Sequence, residues 1–368
     1  MNPAQIEAVL SGQRTDVRAV GLRLLLGCAS PVYGAAAILN RARFDWNLTA
    51  VHRVNAPVIS VGNITTGGTG KTPFAAWLVY TLASMKKKPG IASRGYKSLD
   101  ATNSSEANHQ TGNDEKMVLE QICPGTPHLQ NRDRVLAAGQ LIEKYDCDCV
   151  ILDDGFQHRR LHRDLDIVLI DAVNPFGYNH LLPRGLLREP LRSLRRADLI
   201  VITRTEQVSS SQLSQIRTEL NQYIQDKLPV VEVAFEPTFF LDQHGNRSPL
   251  PSKPPAAIMF CGIGNPTGFQ KLLSGIGFDL LPEKNFFVFP DHHHYTKQEI
   301  QTLCDFAQKA GTNELLTTQK DLVKLTQLLP TDISCKAICI EAVVKSGEEM
   351  LAHKLQELFH CSVDGVRS

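Results

Sequence analysis

A lysine and a threonine at the end of a glycine-rich turn carry the strongest chemical signal in this 368-residue chain. Residues 61–82 read VGNITTGGTGKTPFAAWLVYTL, an apolar strand end, a turn and the start of a helical pattern. The turn is Thr65, Thr66, Gly67, Gly68, Thr69 and Gly70, followed by Lys71 and Thr72. Glycines let successive backbone N–H groups wrap around phosphate oxygens. Lys71 then reaches the β- and γ-phosphates, and the Thr72 hydroxyl ligates magnesium. Pro73 suits a first helical turn, and the helix N-terminus favours a bound anion. The spacing departs from the strict Walker A pattern, because Thr65 occupies the place of the first glycine. A plain flexible turn does not account for the strand–GKT–helix order, so a nucleotide site is expected here.

A phosphate loop needs an acidic partner for the metal, and ILDDGFQH (151–158) ends an apolar strand in Asp153 and Asp154. One of these carboxylates can serve magnesium while the other faces an acceptor or orients water. Their residue types do not rank them, and the plainer reading is a polar strand end before a DG turn. In SRGYKS (93–98), Arg94 can meet a phosphate and Tyr96 can stack on a sugar or base. TGNDEKMVLE (111–120) opens a helix with Asp114 and Glu115, where the helix dipole alone favours carboxylates. LLPRGLLREPLRSLRRAD (181–198) sets Arg184, Arg188, Arg192, Arg195 and Arg196 against only Glu189 and Asp198. Such a stretch is either a solvated helix face or a cradle for an anionic acceptor, since guanidinium binds phosphate bidentately. In FPDHHHYT (289–296), Asp291 precedes His292, His293 and His294. Three consecutive histidines cannot all face one ion from a strand. A histidine working with a carboxylate in proton transfer fits better than a metal site, with a surface loop as the simple alternative.

These residues need elements to hold them. Apolar runs at 57–61, 149–153, 166–171, 198–203 and 230–235 alternate with helical patterns, which predicts a largely parallel sheet covered by helices. The proline-rich run 246–255 reads as a linker or irregular hairpin. A second α/β stretch follows, with strands expected at 257–264, 286–289, 314–318 and 337–343 and a helix near 296–310. The expected division is a helical N-terminal segment (1–55), a phosphate-loop core (56–240), a smaller α/β domain (241–345) and a C-terminal helix (346–368). The 39 basic and 38 acidic side chains nearly cancel, so no basic field points to nucleic acid, and nothing predicts a protein partner. Nine cysteines without a CxxC pair suit neither a zinc site nor a disulfide framework.

The N-terminal segment has its own chemistry. Residues 24–40 carry no charge and lie between Arg23 and Arg41. The stretch is short for a spanning helix, and Pro31 is expected to interrupt it. Six arginines through residue 55 outnumber the three acids Glu7, Asp16 and Asp45. That composition suits a segment lying on an anionic membrane surface; a helical hairpin packed on the core is the alternative.

The ordered set GGTGKTP, SRGY, an acidic pair after a glycine, DDGFQH, LLPRGLLREP, PDHHHY and TTQKD resembles the tetraacyldisaccharide 4'-kinases over about residues 10–345. The resemblance implies an α/β fold with a RecA-like core and a smaller domain that closes over the site. It implies ATP and Mg2+ as cofactors and the lipid A disaccharide precursor as acceptor. The enzyme would sit peripherally on the cytoplasmic face of the inner membrane. By motif position, Asp114 matches the catalytic base and His292 its partner. Lys71 and Thr72 match the phosphate-loop pair, and Asp153 and Asp154 the acids near the metal. Tyr96, Arg188 and Glu189 match substrate-binding positions. This chain departs by reading GNDEK, with Lys116 where the family usually has proline. With His292 in the smaller domain and Asp114 in the core, the pair would form only on domain closure. The competing reading is a nucleotide-gated switch or metallochaperone GTPase. It lacks a guanine reader, because Lys320 and Asp321 of TTQKD (317–321) are adjacent and not separated as in NKxD.

Overall fold

The computed structural model describes residues 3–95, 114–225, 227–325 and 327–364. The chain begins with α1 (Pro3–Leu10) and α2 (Val17–Asp45), then β1 (Val58–Asn63), α3 (Lys71–Ser84) and β2 (Pro89–Ser93). Next come α4 (Asp114–Ile122), β3 (His128–Gln130), α5 (Arg134–Tyr145), β4 (Cys149–Asp153), β5 (Leu165–Asp171), β6 (Leu199–Thr203) and α6 (Ser210–Leu220). The remainder is β7 (Val230–Asp242), β8 (Arg247–Pro249), β9 (Ile258–Cys261), α7 (Pro266–Ile276), β10 (Phe286–Val288) and α8 (Lys297–Lys309). It ends with β11 (Glu314–Thr318), α9 (Gln319–Leu325), β12 (Ser334–Ser346) and α10 (Glu348–Asp364).

Two compact units result. Of the described residues, the first holds those within 3–95, 125–235 and 342–364, and the second those within 114–124 and 236–341. The sequence-based division differs in one respect that matters: α4 was expected in the core, but it packs on α9 and so belongs to the second unit.

In the first unit the strands run β7-β6-β5-β1-β4-β2-β3, and each neighbouring pair is parallel. β1, β4 and β6 are buried along their whole length, which explains their unbroken apolar runs. β1 lies between β5 and β4, with Val61 opposite Asp153, so the strand that feeds the glycine turn ends beside the strand that ends in the acidic pair. Ligands of open parallel sheets bind outside such carboxyl ends. Helix α3 buries Phe74, Ala75, Leu78, Val79 and Leu82, consistent with an apolar pattern on most of its circumference. It starts at Lys71, two residues before Pro73, and ends before the lysines at 86–88.

Pro31 does not interrupt the N-terminal segment: α2 is one 29-residue helix containing it. Asp16 caps it by accepting from the Ala19 N–H. One edge of α2 is tied to the loop after β5. The Ser30 hydroxyl donates to Leu181 O at 3.0 Å and accepts from the Arg184 N–H at 3.1 Å, and Tyr33 OH donates to Arg188 O at 3.2 Å. Elsewhere the helix is open, with Leu24 67%, Leu25 66% and Leu39 62% exposed. It is long and apolar enough, by length and composition, to cross a membrane.

In the second unit β10, β9, β11 and β12 form a parallel run in that order, and β8 pairs antiparallel with the Phe239–Leu241 part of β7. Ile258, Phe260, Ile300, Leu303 and Leu315 make one core cluster on its sheet. A capping box at Thr296 and Glu299 starts α8 immediately after the histidine run.

Candidate active site

In the first unit the glycine turn is braced from three sides. The Asn63 side-chain amide donates to the Thr69 hydroxyl at 3.0 Å, the Thr203 hydroxyl donates to Thr69 O at 2.9 Å, and Arg204 donates to Gly68 O. Gly70 has φ +81°, and a Cβ there would stand 2.2 Å from the Phe235 ring. Glycine is therefore required for conformation and for space. Thr65 and Thr66 open the turn. Thr65 bridges Leu187, and the Thr66 N–H donates to Leu186 O at 2.7 Å. Those contacts fasten the turn to the loop that carries Arg188.

Asp154 follows β4 with φ +52°, a left-handed conformation that aspartate tolerates better than most residues. Its carboxylate lies 3.3 Å from Lys71 Nζ, and Arg188 Nη1 donates to both of its oxygens, at 3.0 and 2.9 Å. Burial opposes its ionisation, but the charges of Lys71 and Arg188 outweigh that, and its pKa falls below the usual carboxylate value. Asp153 is buried at the strand end. Thr72, Asp153 and Asp154 present oxygen donors only, the donor set that suits magnesium. Among the described residues no cluster of three or more His, Cys, Asp and Glu side chains indicates another metal.

Arg188 and Glu189 part company. Glu189 is buried, and Arg196 donates to its two oxygens at 2.9 and 3.3 Å while lying over the Phe156 ring. The arginine stretch is neither a continuous helix nor a free cradle. Arg184 donates to Leu10 O, Arg188 serves Asp154 and Arg196 serves Glu189, leaving Arg192 and Arg195 exposed. Tyr96 lies outside the described residues.

Sequence reasoning gave no role to Arg134 or His158. Arg134 is buried on α5, and its Nη1 donates to His158 Nδ1 at 3.3 Å. Burial, aided by the Arg134 charge, pushes the His158 pKa down to about 4, so the ring is neutral with its proton on Nε2. His158 closes the DDGFQH motif, which was its signal; Arg134 had none beyond an aspartate N-cap before it.

In the second unit Asp114 opens α4 and is nearly buried, whereas Glu115 is exposed. Asp114 Oδ2 lies 2.9 Å from His292 Nδ1, with Lys324 Nζ at 3.5 Å and Lys320 Nζ at 3.9 Å. The pair forms within this one unit, and the expectation that it needs domain closure is corrected by the packing of α4 on α9. His292 also adopts the left-handed region, at φ +58°. Burial opposes ionisation of Asp114; the His292 hydrogen bond and the lysine charges outweigh it and hold its pKa well below the usual range. The same hydrogen bond raises the His292 pKa against burial and Lys320. His293 instead bonds Glu299 at 3.1 Å and stacks on Phe289. Only His292 of the three reaches Asp114 among the described contacts.

With this geometry in place, likeness to known proteins becomes informative. Residues 22–360 match the family model described as tetraacyldisaccharide-1-P 4'-kinase. The chain belongs to that family. It is 34% identical to the tetraacyldisaccharide 4'-kinase of Halothermothrix orenii over 344 residues, 88% of each chain. It is 35% identical to that of Geobacter sulfurreducens, covering 87% of this chain and 90% of the relative. The crystal structure of LpxK from Aquifex aeolicus in complex with ATP superimposes with a TM-score of 0.72 at 30% identity, covering 92% of this chain and 99% of that one. The α/β fold read from the sequence is thus the family's fold.

Proposed function

We propose that this chain is an ATP-dependent lipid kinase that transfers the γ-phosphoryl group of ATP to the 4'-hydroxyl of the tetraacyl lipid A disaccharide 1-phosphate precursor. The observation that carries this reading is end-to-end likeness to relatives named tetraacyldisaccharide 4'-kinase. The alternative of a GTP-gated switch loses its support with it.

The chemistry follows from each unit's side chains. The 4'-oxygen bonds to the γ-phosphorus as the bond to the β–γ bridging oxygen breaks, and the hydroxyl proton passes to Asp114. Lys71 and the amides of the glycine turn stabilise negative charge on the transferring group. Asp114 is ionised and accepts a hydrogen bond from His292, so it can receive the proton in a fixed orientation. Thr72 and Asp153 would hold magnesium, with Asp154 beside them, and the ion would neutralise phosphate charge when bound. Arg188, which donates to Asp154, would trade that partner for a phosphate oxygen.

The exposed leucines of α2, flanked by arginines, support peripheral attachment to the cytoplasmic face of the inner membrane, where the acyl chains of the acceptor reside. The decisive test is incubation of the purified protein with γ-labelled ATP, magnesium and detergent-dispersed lipid A disaccharide 1-phosphate. Label is expected on the lipid at the 4'-position. ATP hydrolysis or GTP preference without a phosphorylated lipid would refute the assignment.

A further inference from the structure

Two lysines of α9 surround the Asp114–His292 pair, and the reaction as described gives them no part. Lys320 and Lys324 are four residues apart, hence on one face of the helix. Lys324 Nζ is enclosed between two carboxylates, 3.5 Å from Asp114 Oδ2 and 3.7 Å from Asp321 Oδ1, with its side chain 13% exposed. Asp321 is fully buried and accepts from the Gly262 N–H at 3.0 Å and the Thr318 hydroxyl at 2.7 Å, which pins the first turn of α9. Lys320 Nζ lies 3.1 Å from His292 Nε2 and 3.4 Å from Asp291 Oδ1.

The contact with His292 has a chemical consequence. An ammonium group only donates hydrogen bonds, so His292 Nε2 must accept. The ring then carries its single proton on Nδ1, directed at Asp114 Oδ2 2.9 Å away. A protonated ring would carry a second N–H aimed at Lys320. The other oxygen of Asp114 accepts from the Glu115 N–H at 3.1 Å. Both lysines stand beyond hydrogen-bond range of Asp114 and act on it through charge, so they do not occupy the lone pair that would take a proton.

We propose that Lys320 and Lys324 are positioning residues for proton acceptance: Lys320 holds His292 as the neutral Nδ1–H tautomer, and Lys324 holds Asp114 ionised and aimed at that proton. The proposal rests on the reading of Asp114 as the base. Among the described residues, the charged groups that face the pair are His292 and Asp291 from the loop after β10 and the two lysines from α9, with Asp321 behind Lys324. Lys320 lowers the His292 pKa and both lysines lower that of Asp114, in line with these roles.

The test uses full-length protein labelled with 15N-histidine, with the His292 ring assigned by its loss in His292→Gln. At pH 8 the wild-type ring should show a protonated Nδ1 and an unprotonated Nε2. An Nε2–H tautomer in the wild type would overturn the proposal without any variant. Lys320→Met should raise the His292 midpoint by about one pH unit, the scale set by one nearby charge, and mix the tautomers; Lys320→Arg should restore both. Lys324→Met should raise the midpoint of the Asp114 carboxyl 13C titration by about one pH unit, the scale set by one nearby charge, with the KM for ATP unchanged. An unchanged His292 spectrum in Lys320→Met overturns the proposal. So does an unmoved Asp114 midpoint in Lys324→Met, or an effect confined to the KM for lipid, which would mean that the lysines bind the acceptor's phosphate. The underlying reading fails separately: near-normal turnover of Asp114→Asn would remove Asp114 as base while leaving the tautomer result intact.

Discussion

Asp154 in the first unit and Asp114 in the second each meet two cationic side chains, yet in different ways. Arg188 donates to both oxygens of Asp154, and Lys71 is 3.3 Å from one of them. The lysines around Asp114 stay at 3.5 and 3.9 Å, and its close partner is an imidazole. The first arrangement consumes the carboxylate's lone pairs with the very cations that a triphosphate would recruit. It suits exchange, with nucleotide phosphate taking over Lys71 and Arg188. The second keeps the carboxylate charged but leaves it able to accept a proton. Similar charge counts therefore leave one carboxylate fully engaged by cations and the other open to a proton, in line with the proposed roles of clamp and base.

The sharpest way to break this comparison is to remove the cation that both Asp154 and the phosphate need. Lys71→Ala should lower turnover about 10²–10³-fold, the range seen when one preorganised electrostatic contact to a reacting group is lost. Turnover within a few-fold of wild type at saturating ATP and lipid would mean that the phosphate site lies elsewhere.

In the second unit the contrast predicts shared loss. Asp114→Ala and His292→Ala should each cut turnover about 10²-fold, the lower end for general-base removal, with ATP affinity nearly unchanged. The double variant should be little worse than the worse single one, because both damage one proton transfer. Multiplicative losses would show independent roles. Arg188→Met, by comparison, should weaken apparent ATP affinity about 10-fold through loss of one charge-assisted contact, and leave the pH profile unmoved.

Titration sharpens the same contrast. The Asp114 hydrogen bond raises the His292 pKa above 6.5, so a falling pH protonates the imidazole well before Asp114, whose own pKa is depressed. Asp114→Asn removes the anion and should move the His292 midpoint down, readable in an NMR titration. An upward movement would show that burial and Lys320 do not oppose the charge as the geometry requires.

The two regions also differ in how much of them the sequence discloses. The phosphate loop is contiguous: strand, glycine turn, Lys71 and helix follow within 61–82, so local rules find it. The acidic pair after β4 is legible for the same reason. Asp114 and His292 are 178 residues apart and meet only because α4 packs on α9. Local reasoning left Asp114 as a dipole-favoured acid, and only the family resemblance paired it with His292. The domain boundary failed at the same place, since nothing local assigns α4 to a unit whose remainder begins at 236. β2 and β3 were missed because one starts at Pro89 and the other is three residues long, too short for a period. Glu189 was read from its motif, while its half-buried partner Arg196 lies seven residues on and follows from the short 3-10 turn between them.

The smallest effect expected concerns α2, and the structure decides how to look for it. Deleting residues 1–40 would remove the exposed leucines but also Ser30 and Tyr33, which hold the loop carrying Arg188. A deletion would therefore confound membrane contact with damage to the phosphate site. Point changes separate the two. Leu24→Gln, Leu25→Gln and Leu39→Gln together alter side chains that are at least 62% exposed and leave the docking edge intact. If these leucines insert into a bilayer, each loses on the order of 1–2 kcal/mol of transfer free energy, lessened by partial insertion. Together they should release the protein from anionic liposomes by several-fold or more in sedimentation. ATP affinity and turnover on detergent-dispersed lipid should stay within about 2-fold of wild type. Undiminished sedimentation would move the membrane contact to another surface, with the exposed Arg192 and Arg195 the next to change. Loss of turnover in detergent would instead mean that α2 supports the site through its docking edge more than it binds lipid.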